Sequence, residues 1–366
     1  MKICLVSSVA SHYRAKIYSM IAQQYDCDFY FTKNDGHLKL MDYKLLGGKV
    51  VEVERKKIGP FYYQKGIPSL SSKDYERYIV MGDPHYISTW ILMLRLKLHS
   101  KKKVFLWTHG WYGKESPLEA TFKKFFFRLA DGLLLYGNYA RQLLAKEGIN
   151  TNKLYVVHNS LDYESQLKMR NEIKATDIYM NHFGNDYPVL ALIGRLNKRK
   201  NLGLLIDALE ILHKQAFYCN TVIIGDGDSR QDAEDKVIEY NLQNHVWFYG
   251  ACYDEKINAE LLYNSDVCVM PGDLGLTAIH AMMFGVPVIA HDMFSKHGPE
   301  FETIKPDITG DFFSFNNAQS LADTIMKWIS NHHDKESIRV ACEKEIDNSW
   351  TPVYQMSIIN KALLGS

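Results

Sequence analysis

Residues 269–290 read VMPGDLGLTAIHAMMFGVPVIA. An apolar run leads into a glycine-rich turn, an amphipathic stretch follows, and Gly285 and Pro287 precede a second apolar run. This order predicts a buried strand, a turn, a helix, a stop and a second parallel strand, which together form one βαβ unit. The amides of Gly275 to Thr277 would open that helix, where free N–H groups attract anions. The segment therefore predicts both a fold class and a phosphate-binding turn.

The same alternation recurs along the rest of the chain in two series. Short apolar runs bounded by Gly, Pro, Asn or Asp are typical of parallel strands buried on both faces. They occupy residues 3–7, 28–31, 78–81, 104–108, 132–136 and 154–158, and then 189–193, 220–224, 246–249, 267–270 and 287–290. Helical stretches such as 202–212 and 232–240 lie between them. We therefore predict an α/β protein with two doubly wound parallel sheets that bind ligand at the carboxyl ends of their strands.

A polar segment at residues 162–187 separates the two series and predicts a hinge. We assign residues 1–165 to a first domain and residues 186–350 to a second domain. We expect a carboxyl-terminal helix at about 351–366 to pack back on the first domain.

Composition excludes several classes of protein. The 366 residues carry 43 Lys+Arg against 42 Asp+Glu, so no global charge favours nucleic acid. The six cysteines form no Cys-x2-Cys pair, which favours a reducing, cytoplasmic compartment and gives no zinc motif. No apolar stretch of about 18 residues predicts a membrane-spanning helix.

Two further glycine-containing segments follow predicted strands. Residues 193–201 read IGRLNKRKN, in which Gly194, Arg195 and Lys200 stand between a strand and a helix. Residues 222–228 read VIIGDGD and contain Gly225 and Gly227. Arg offers a planar fork and Lys a point charge to phosphate oxygens. Taken alone, each segment is equally compatible with an ordinary solvated loop.

Taken together with VVHNSLD at 156–162 and FYG at 248–250, these segments resemble the carboxyl-terminal domain of family-4 retaining glycosyltransferases. The resemblance implies a GT-B fold, that is, two Rossmann-like doubly wound parallel-sheet domains facing a central cleft. It implies that residues 1–165 form the acceptor-side domain and residues 186–350 the nucleotide-sugar donor-binding domain. It implies that Arg195 and Lys200 hold the donor diphosphate and act in catalysis. The remaining donor-site residues that it implies are Gly194, Gly225, Gly227, Gly250, Asp273, Leu274, Gly275, Leu276, Thr277, His280 and Glu300.

One departure from the family concerns a pair of glutamates with the spacing Glu-x7-Glu. Gly272 and His280 stand at those two positions. We expect His280 to hydrogen-bond a ribose hydroxyl, because either ring nitrogen can do so. Asp273 or one of Glu300 and Glu302 is a candidate for the missing acid, although a helix cap explains the latter two equally well.

The first half carries candidate residues at predicted strand ends. By the resemblance, His109 contacts the donor sugar and is the third catalytic candidate. The expected acceptor-binding residues are Ser11, His12, Arg14, Asp83, His85 and Trp111. Among them, His12 and Arg14 suit an anionic acceptor such as a lipid pyrophosphate. Trp111 suits a sugar face, and core packing is its alternative role.

Residues 90–103 and 122–128 read WILMLRLKLHSKKK and FKKFFFR. Aromatic residues interleaved with cations favour an anionic membrane surface. Ordinary amphipathic helices with packed stems and solvated cations fit the same residues. The first alternative predicts peripheral binding to the inner face of the cell membrane.

We expect a retaining, metal-independent hexosyltransferase. Its substrates would be a nucleotide-diphosphate sugar, with UDP favoured over GDP, and a glycan or lipid-linked acceptor in surface polysaccharide or lipopolysaccharide biosynthesis. No cofactor, metal or nucleic-acid partner is expected. A GT-B sugar-nucleotide epimerase and a catalytically weak nucleotide- or glycan-binding relative are the alternatives.

Overall fold

The computed structural model describes residues 1–34, 40–99 and 101–365. The chain forms two compact units, one made of Met1–Asp162 with Thr351–Ser366 and the other of Tyr163–Trp350. The basic segment 90–103 includes Ser100, which lies outside the described residues.

The first unit contains a seven-stranded parallel sheet and a separate antiparallel hairpin. Its strands are β1 Lys2–Ser7, β2 Asp26–Thr32, β3 Val50–Val53, β4 Arg55–Ile58, β5 Phe61–Gln64, β6 Arg77–Met81, β7 Lys103–Thr108, β8 Gly132–Leu135 and β9 Leu154–Val156. The strand order in the sheet is β3-β2-β1-β6-β7-β8-β9, and β4 and β5 form the hairpin. Its helices are α1 Ala15–Gln24, α2 Ile87–Leu96, α3 Pro117–Leu129 and α4 Asn138–Lys146, with the carboxyl-terminal helix at Pro352–Leu364.

The second unit contains a six-stranded parallel sheet. Its strands are β10 Val189–Ile193, β11 Asn220–Ile224, β12 Val246–Gly250, β13 Val267–Met270, β14 Val288–His291 and β15 Gly310–Phe313. The strand order in the sheet is β12-β11-β10-β13-β14-β15. Its helices are α5 Tyr163–Glu172, α6 Ile178–Phe183, α7 Leu202–Lys214, α8 Arg230–Glu239, α9 Glu255–Tyr263, α10 Thr277–Met283, α11 Ala318–Asn331 and α12 Lys335–Ser349; the helix at Pro352–Leu364 is α13.

Burial explains why the central strands are continuously apolar. All residues of β8, β10, β13 and β14 are buried, because helices cover both faces of each sheet. The strand orders reverse direction beside β1 and beside β10, which is the doubly wound arrangement. The predicted fold class is confirmed: each unit is a Rossmann-like parallel-sheet domain.

Helices replace the predicted hinge. Residues 163–172 and 178–183, inside the segment 162–187, form α5 and α6 and belong to the second unit. Arg170 of α5 donates to both carboxylate oxygens of Asp347, at 3.1 and 2.9 Å. The boundary therefore falls at Asp162, earlier than the sequence indicated, and α13 packs against α1 and β9 in the first unit.

Candidate functional site

Two loops meet at the carboxyl edge of the second sheet. One follows β10 and contains Gly194 to Lys200, and the other follows β13 and contains residues 271–276. The Lys200 ammonium donates to the carbonyl oxygen of Asp273 at 2.9 Å, and the Asp273 amide donates to the carbonyl of Arg199 at 2.8 Å. The Thr277 hydroxyl donates to the carbonyl of Ile193 at 3.2 Å. These bonds hold the two glycine-containing segments side by side.

Glycine at 272 allows this close approach. A Cβ at Gly272 would overlap the carbonyl oxygen of Arg199 and would lie 2.7 Å from the carbonyl carbon of Lys200. In this conformation, position 272 therefore has no room for the glutamate that the family pattern carries there. The site obtains no carboxylate from this position.

Gly225 and Gly227 serve the neighbouring loop. Their φ angles are 148° and 153°, and a Cβ would overlap the backbone oxygens of Gly194 and Leu196, respectively. Gly250, with φ 92°, accepts a hydrogen bond from the Gly225 amide at 2.8 Å. These three predicted donor-site glycines thus shape the backbone that supports Gly194 and Arg195.

The turn after β13 presents unused donors. Within the described part of the chain, the amides of Gly275, Leu276 and Thr277 make no hydrogen bond, and a Cβ at Gly275 would meet no atom within 4 Å. Buried Leu274 anchors the turn, because its amide donates to Nδ1 of His297 at 3.0 Å. Backbone donors beside open space form a cradle that suits an oxyanion.

The cations around this turn differ in whether they form ion pairs within the chain. Arg195 is exposed and has no ion-pair partner among the residues that the structure describes. Arg199 pairs with the Asp273 carboxylate at 2.7 Å, so the side chain proposed from sequence as a replacement acid is already neutralised. Burial lowers the pKa of Lys200 from its ordinary value. Arg195 and Lys200 therefore remain available to an anion at the turn.

His280 is half-buried on α10, and its Nε2 lies 2.9 Å from Oε1 of Glu255. Gln166 donates to the same oxygen at 2.8 Å. Burial acts to raise the pKa of Glu255, but the hydrogen bonds from His280 and Gln166 outweigh it and lower that pKa. Sequence reasoning missed Glu255, because only the fold brings α9 beside α10.

Glu300 lies in a short 3-10 helix at Pro299–Thr303 and is 3% exposed. A Cβ at Gly298 would overlap Oε2 of Glu300 and would lie 3.3 Å from Cα of Gly275. The Glu300 carboxylate is therefore a close neighbour of the Gly275 turn. Glu302, the alternative acid, is only half-buried.

The first unit has a separate cavity of about 510 Å³ at the carboxyl ends of β1, β6 and β7. Five predicted residues line it: Ser11, Arg14, Asp83, His85 and His109. Asp83 and His85 pair with each other at 2.8 Å. Desolvation and the nearby charge of Arg14 lower the pKa of His109 to about 4, so its imidazole is neutral at pH 7.

The other two residues expected at this cavity lie elsewhere in the first unit. His12 is exposed and does not line the cavity. Trp111 is 4% exposed and belongs to the core, with the Lys123 ammonium 5.5 Å from its ring centroid. Its ring is therefore packed in the core and is not presented to a ligand, which corrects the expected sugar-stacking role.

Comparison with known proteins places this geometry in context. Residues 176–345 match the family described as "Glycosyl transferases group 1". An "Uncharacterized 41.2 kDa protein in cps region" of Klebsiella pneumoniae is 25% identical over 76% of this chain and 72% of its own length. The "Amylovoran biosynthesis glycosyltransferase AmsD" of Erwinia amylovora is 25% identical over 60% of this chain and 59% of its own. The "Glycogen synthase" of Thermodesulfovibrio yellowstonii is 26% identical over 45% of this chain and only 33% of its own length.

Solved structures show the fold. Anabaena HepE in complex with UDP is similar with a TM-score of 0.70 at 17% identity, over 100% of both chains. The lipopolysaccharide outer core galactosyltransferase WaaB, in its apo form, is similar with a TM-score of 0.72 at 18% identity, over 100% of this chain and 99% of its own. The fold is GT-B, and the matches together support a GT-B glycosyltransferase and do not favour the epimerase alternative.

Proposed function

We propose that this chain transfers a sugar from a nucleotide-diphosphate sugar to a glycan or lipid-linked acceptor in surface polysaccharide or lipopolysaccharide biosynthesis. UDP-sugars are favoured and GDP-sugars are the second choice. The observation that carries the proposal is the cradle of three unbonded amides, Gly275 to Thr277, beside Lys200 and opposite an open space. The HepE complexes with UDP and the amylovoran and lipopolysaccharide transferases among the similar proteins support this choice of substrates.

In the proposed reaction the bond between the sugar C1 and the diphosphate oxygen breaks, and an acceptor hydroxyl forms a new bond to C1 on the same face. The acceptor proton passes to the departing phosphate oxygen. Because the acceptor attacks the face that the diphosphate leaves, the reaction is retaining without a carboxylate nucleophile. Arg195, Lys200 and the free amides stabilise the charge that develops on the diphosphate. We propose that these groups suffice without a metal ion.

We further propose that Glu300 supplies the carboxylate that position 272 cannot hold. The position of its carboxylate beside the Gly275 turn supports this role. Neutral His109 would form a hydrogen bond with the donor sugar, as donor or acceptor. His280, positioned by Glu255, would contact the ribose.

Substitution of the cations tests the proposal. Arg195→Ala and Lys200→Ala should each lower kcat by about 10²–10³, as loss of one transition-state donor does in other enzymes. Lys198→Ala is the matched control, because Lys198 is exposed on the same 3-10 turn and has no ion-pair partner within the described ranges. The measurement is steady-state transfer at saturating substrate across a panel of UDP- and GDP-sugars. Turnover near that of the parent chain in both variants would reject the diphosphate role.

We also propose that the first unit binds the inner, cytoplasmic face of the cell membrane through α2 and α3. Leu94, Leu118 and Phe125 are exposed by 51, 86 and 59%. Phe125 stacks on Trp90 with ring centroids 5.8 Å apart. An apolar face of this kind is typical of helices that lie in the interface. No helix in the described ranges has both the length and the hydropathy needed to cross a bilayer.

Vesicle flotation tests this membrane proposal. The chain should float with phosphatidylglycerol vesicles and float less with phosphatidylcholine vesicles, and the double variant Leu118→Ser/Phe125→Ser should stay in solution. Ile238→Ser, a substitution of an exposed side chain on α8 in the second unit, is the control. Equal flotation of the double variant and the parent chain would contradict the proposal.

A further inference from the structure

The cavity of the first unit contains Arg14, a cation with no counter-ion among the residues that the structure describes. Arg14 follows β1 at the start of α1, and its guanidinium donates to the hydroxyls of Tyr136 and, at 3.4 Å, Tyr18. No carboxylate pairs with Arg14 among residues 1–34, 40–99 and 101–365. The guanidinium carbon also lies 5.2 Å from the ring centroids of Trp107 and Tyr136. The partners of this charge are therefore neutral hydroxyls and aromatic faces.

The other charged groups of the cavity are already paired. Asp83 binds His85, and buried Lys123 binds Glu115 at 2.7 Å, with Glu119 a further 3.9 Å contact of the same ammonium. His109 is neutral at pH 7 for the reason given above. Arg14 is thus a cation of this cavity whose charge no carboxylate of the described ranges offsets.

Uncharged donors stand near this charge. Ser7, Ser8 and Ser11 line the same cavity, and the Ser7 hydroxyl accepts from Tyr18 at 3.2 Å, which leaves its own proton for a ligand. The volume of about 510 Å³ lies within the range of small-molecule sites. A planar guanidinium binds the two oxygens of a carboxylate or phosphate in parallel, which a neutral sugar hydroxyl cannot reproduce.

We propose that the cavity binds an acceptor that carries an oxyanion, either a sugar carboxylate or a phosphate ester, and that Arg14 determines this specificity. The inference rests on the proposed function in one respect only, because it takes this cavity as the acceptor site. Arg14 is a binding residue here and takes no part in the transfer of the sugar.

Probe binding tests the inference without requiring turnover. Saturation-transfer NMR and calorimetry would compare methyl glucuronide and glucose 6-phosphate with neutral methyl glucoside, in the presence of saturating UDP to occupy the second unit. The parent chain should bind the charged probes about 10–100-fold more tightly than the neutral one, the range expected for hydrogen bonds to a charged group. A preference for the glucuronide would identify an acidic sugar as the source of the oxyanion, and a preference for the phosphate would identify a phosphorylated acceptor.

Variants test whether the charge of Arg14 causes the preference for charged probes. Arg14→Gln should abolish the preference for charged probes, and Arg14→Lys should keep part of it. Arg77→Gln should keep all of it, because Arg77 lies at the start of β6, donates to the carbonyls of Glu76, Lys101 and Leu363, and does not line the cavity. Retention of the full preference in a folded Arg14→Gln chain would overturn the inference.

If Arg14→Gln does not fold, the affinities of the parent chain alone still test the inference. Equal binding of the charged and neutral probes by the parent chain would overturn it. Failure of the proposed function has a different signature. In that case UDP would not raise the thermal midpoint of the chain, whereas the preference for charged probes would persist in the absence of nucleotide.

Discussion

Gly272→Ala is the substitution with the most directly calculable effect. The added Cβ would lie 2.7 Å from the carbonyl carbon of Lys200 and 2.9 Å from that of Arg199, whereas two carbon atoms pack at about 3.5–4.0 Å. The obstacle is backbone, so the two loops must separate by about 1 Å. We expect the free energy of unfolding to fall by ~1–3 kcal/mol, as in overpacked cores. Because Lys200 moves with its loop, we expect kcat to fall by about 10²-fold.

Gly275→Ala is the matched control in the same turn. Its Cβ would meet no protein atom within 4 Å, so the urea midpoint should not fall. The methyl group would instead occupy the space in front of the free amides. We expect UDP to bind about 10–100-fold more weakly, the cost of losing a hydrogen bond to a charged group. The assays are urea unfolding and calorimetric titration with UDP. Unchanged stability in Gly272→Ala, or unchanged UDP affinity in Gly275→Ala, would refute the reasoning.

Three further predictions concern other parts of the chain. Glu255→Leu should weaken UDP binding about as much as His280→Ala does, and the double variant should lose little further affinity. Because both side chains act at the ribose, calorimetric titration should show unchanged affinity for inorganic pyrophosphate in these variants. Burial and the neighbouring His297 lower the pKa of His291 to about 4, so between pH 6.5 and 4 the unfolded chain binds a proton that the folded chain does not, and the free energy of unfolding falls as the pH drops through that range. In urea titrations, His291→Phe should remove about 2 kcal/mol of the stability that the parent chain loses between pH 7 and 5. An unchanged dependence of stability on pH in this variant would contradict the prediction. Lys123→Met leaves a buried carboxylate on Glu115 and should cost ~3–5 kcal/mol of stability by chemical denaturation without altering UDP affinity of the folded chain.

The interior of both sheets could be predicted from sequence because central parallel strands are apolar on both faces. The edge strands β3 and β15 lack this signal, whereas the edge strands β9 and β12 coincide with predicted apolar runs. Val50–Val53 is exposed or half-buried at three of its four positions, and Gly310–Phe313 is half-buried at two. The hairpin strand Arg55–Ile58 is wholly exposed. None of these three segments was predicted, because no continuous apolar run distinguishes them from loops.

The glycine-rich turns at strand ends could also be predicted, since such a turn after a buried strand has few structural alternatives. Contacts between residues far apart in the sequence could not be predicted. Nothing in the sequence places Glu255 beside His280, or His297 under the amide of Leu274, because each contact depends on how helices and loops from separate βαβ units pack. The burial of Trp111 could not be predicted either, since a tryptophan after a strand suits both stacking on a sugar and packing in a core.

A crystal structure of the chain with bound UDP would test the central claim most directly. We predict that the diphosphate oxygens lie within hydrogen-bond distance of the Gly275, Leu276 and Thr277 amides and contact the side chains of Lys200 and Arg195. Nucleotide bound elsewhere in the second unit, or a diphosphate turned away from these amides, would contradict the account.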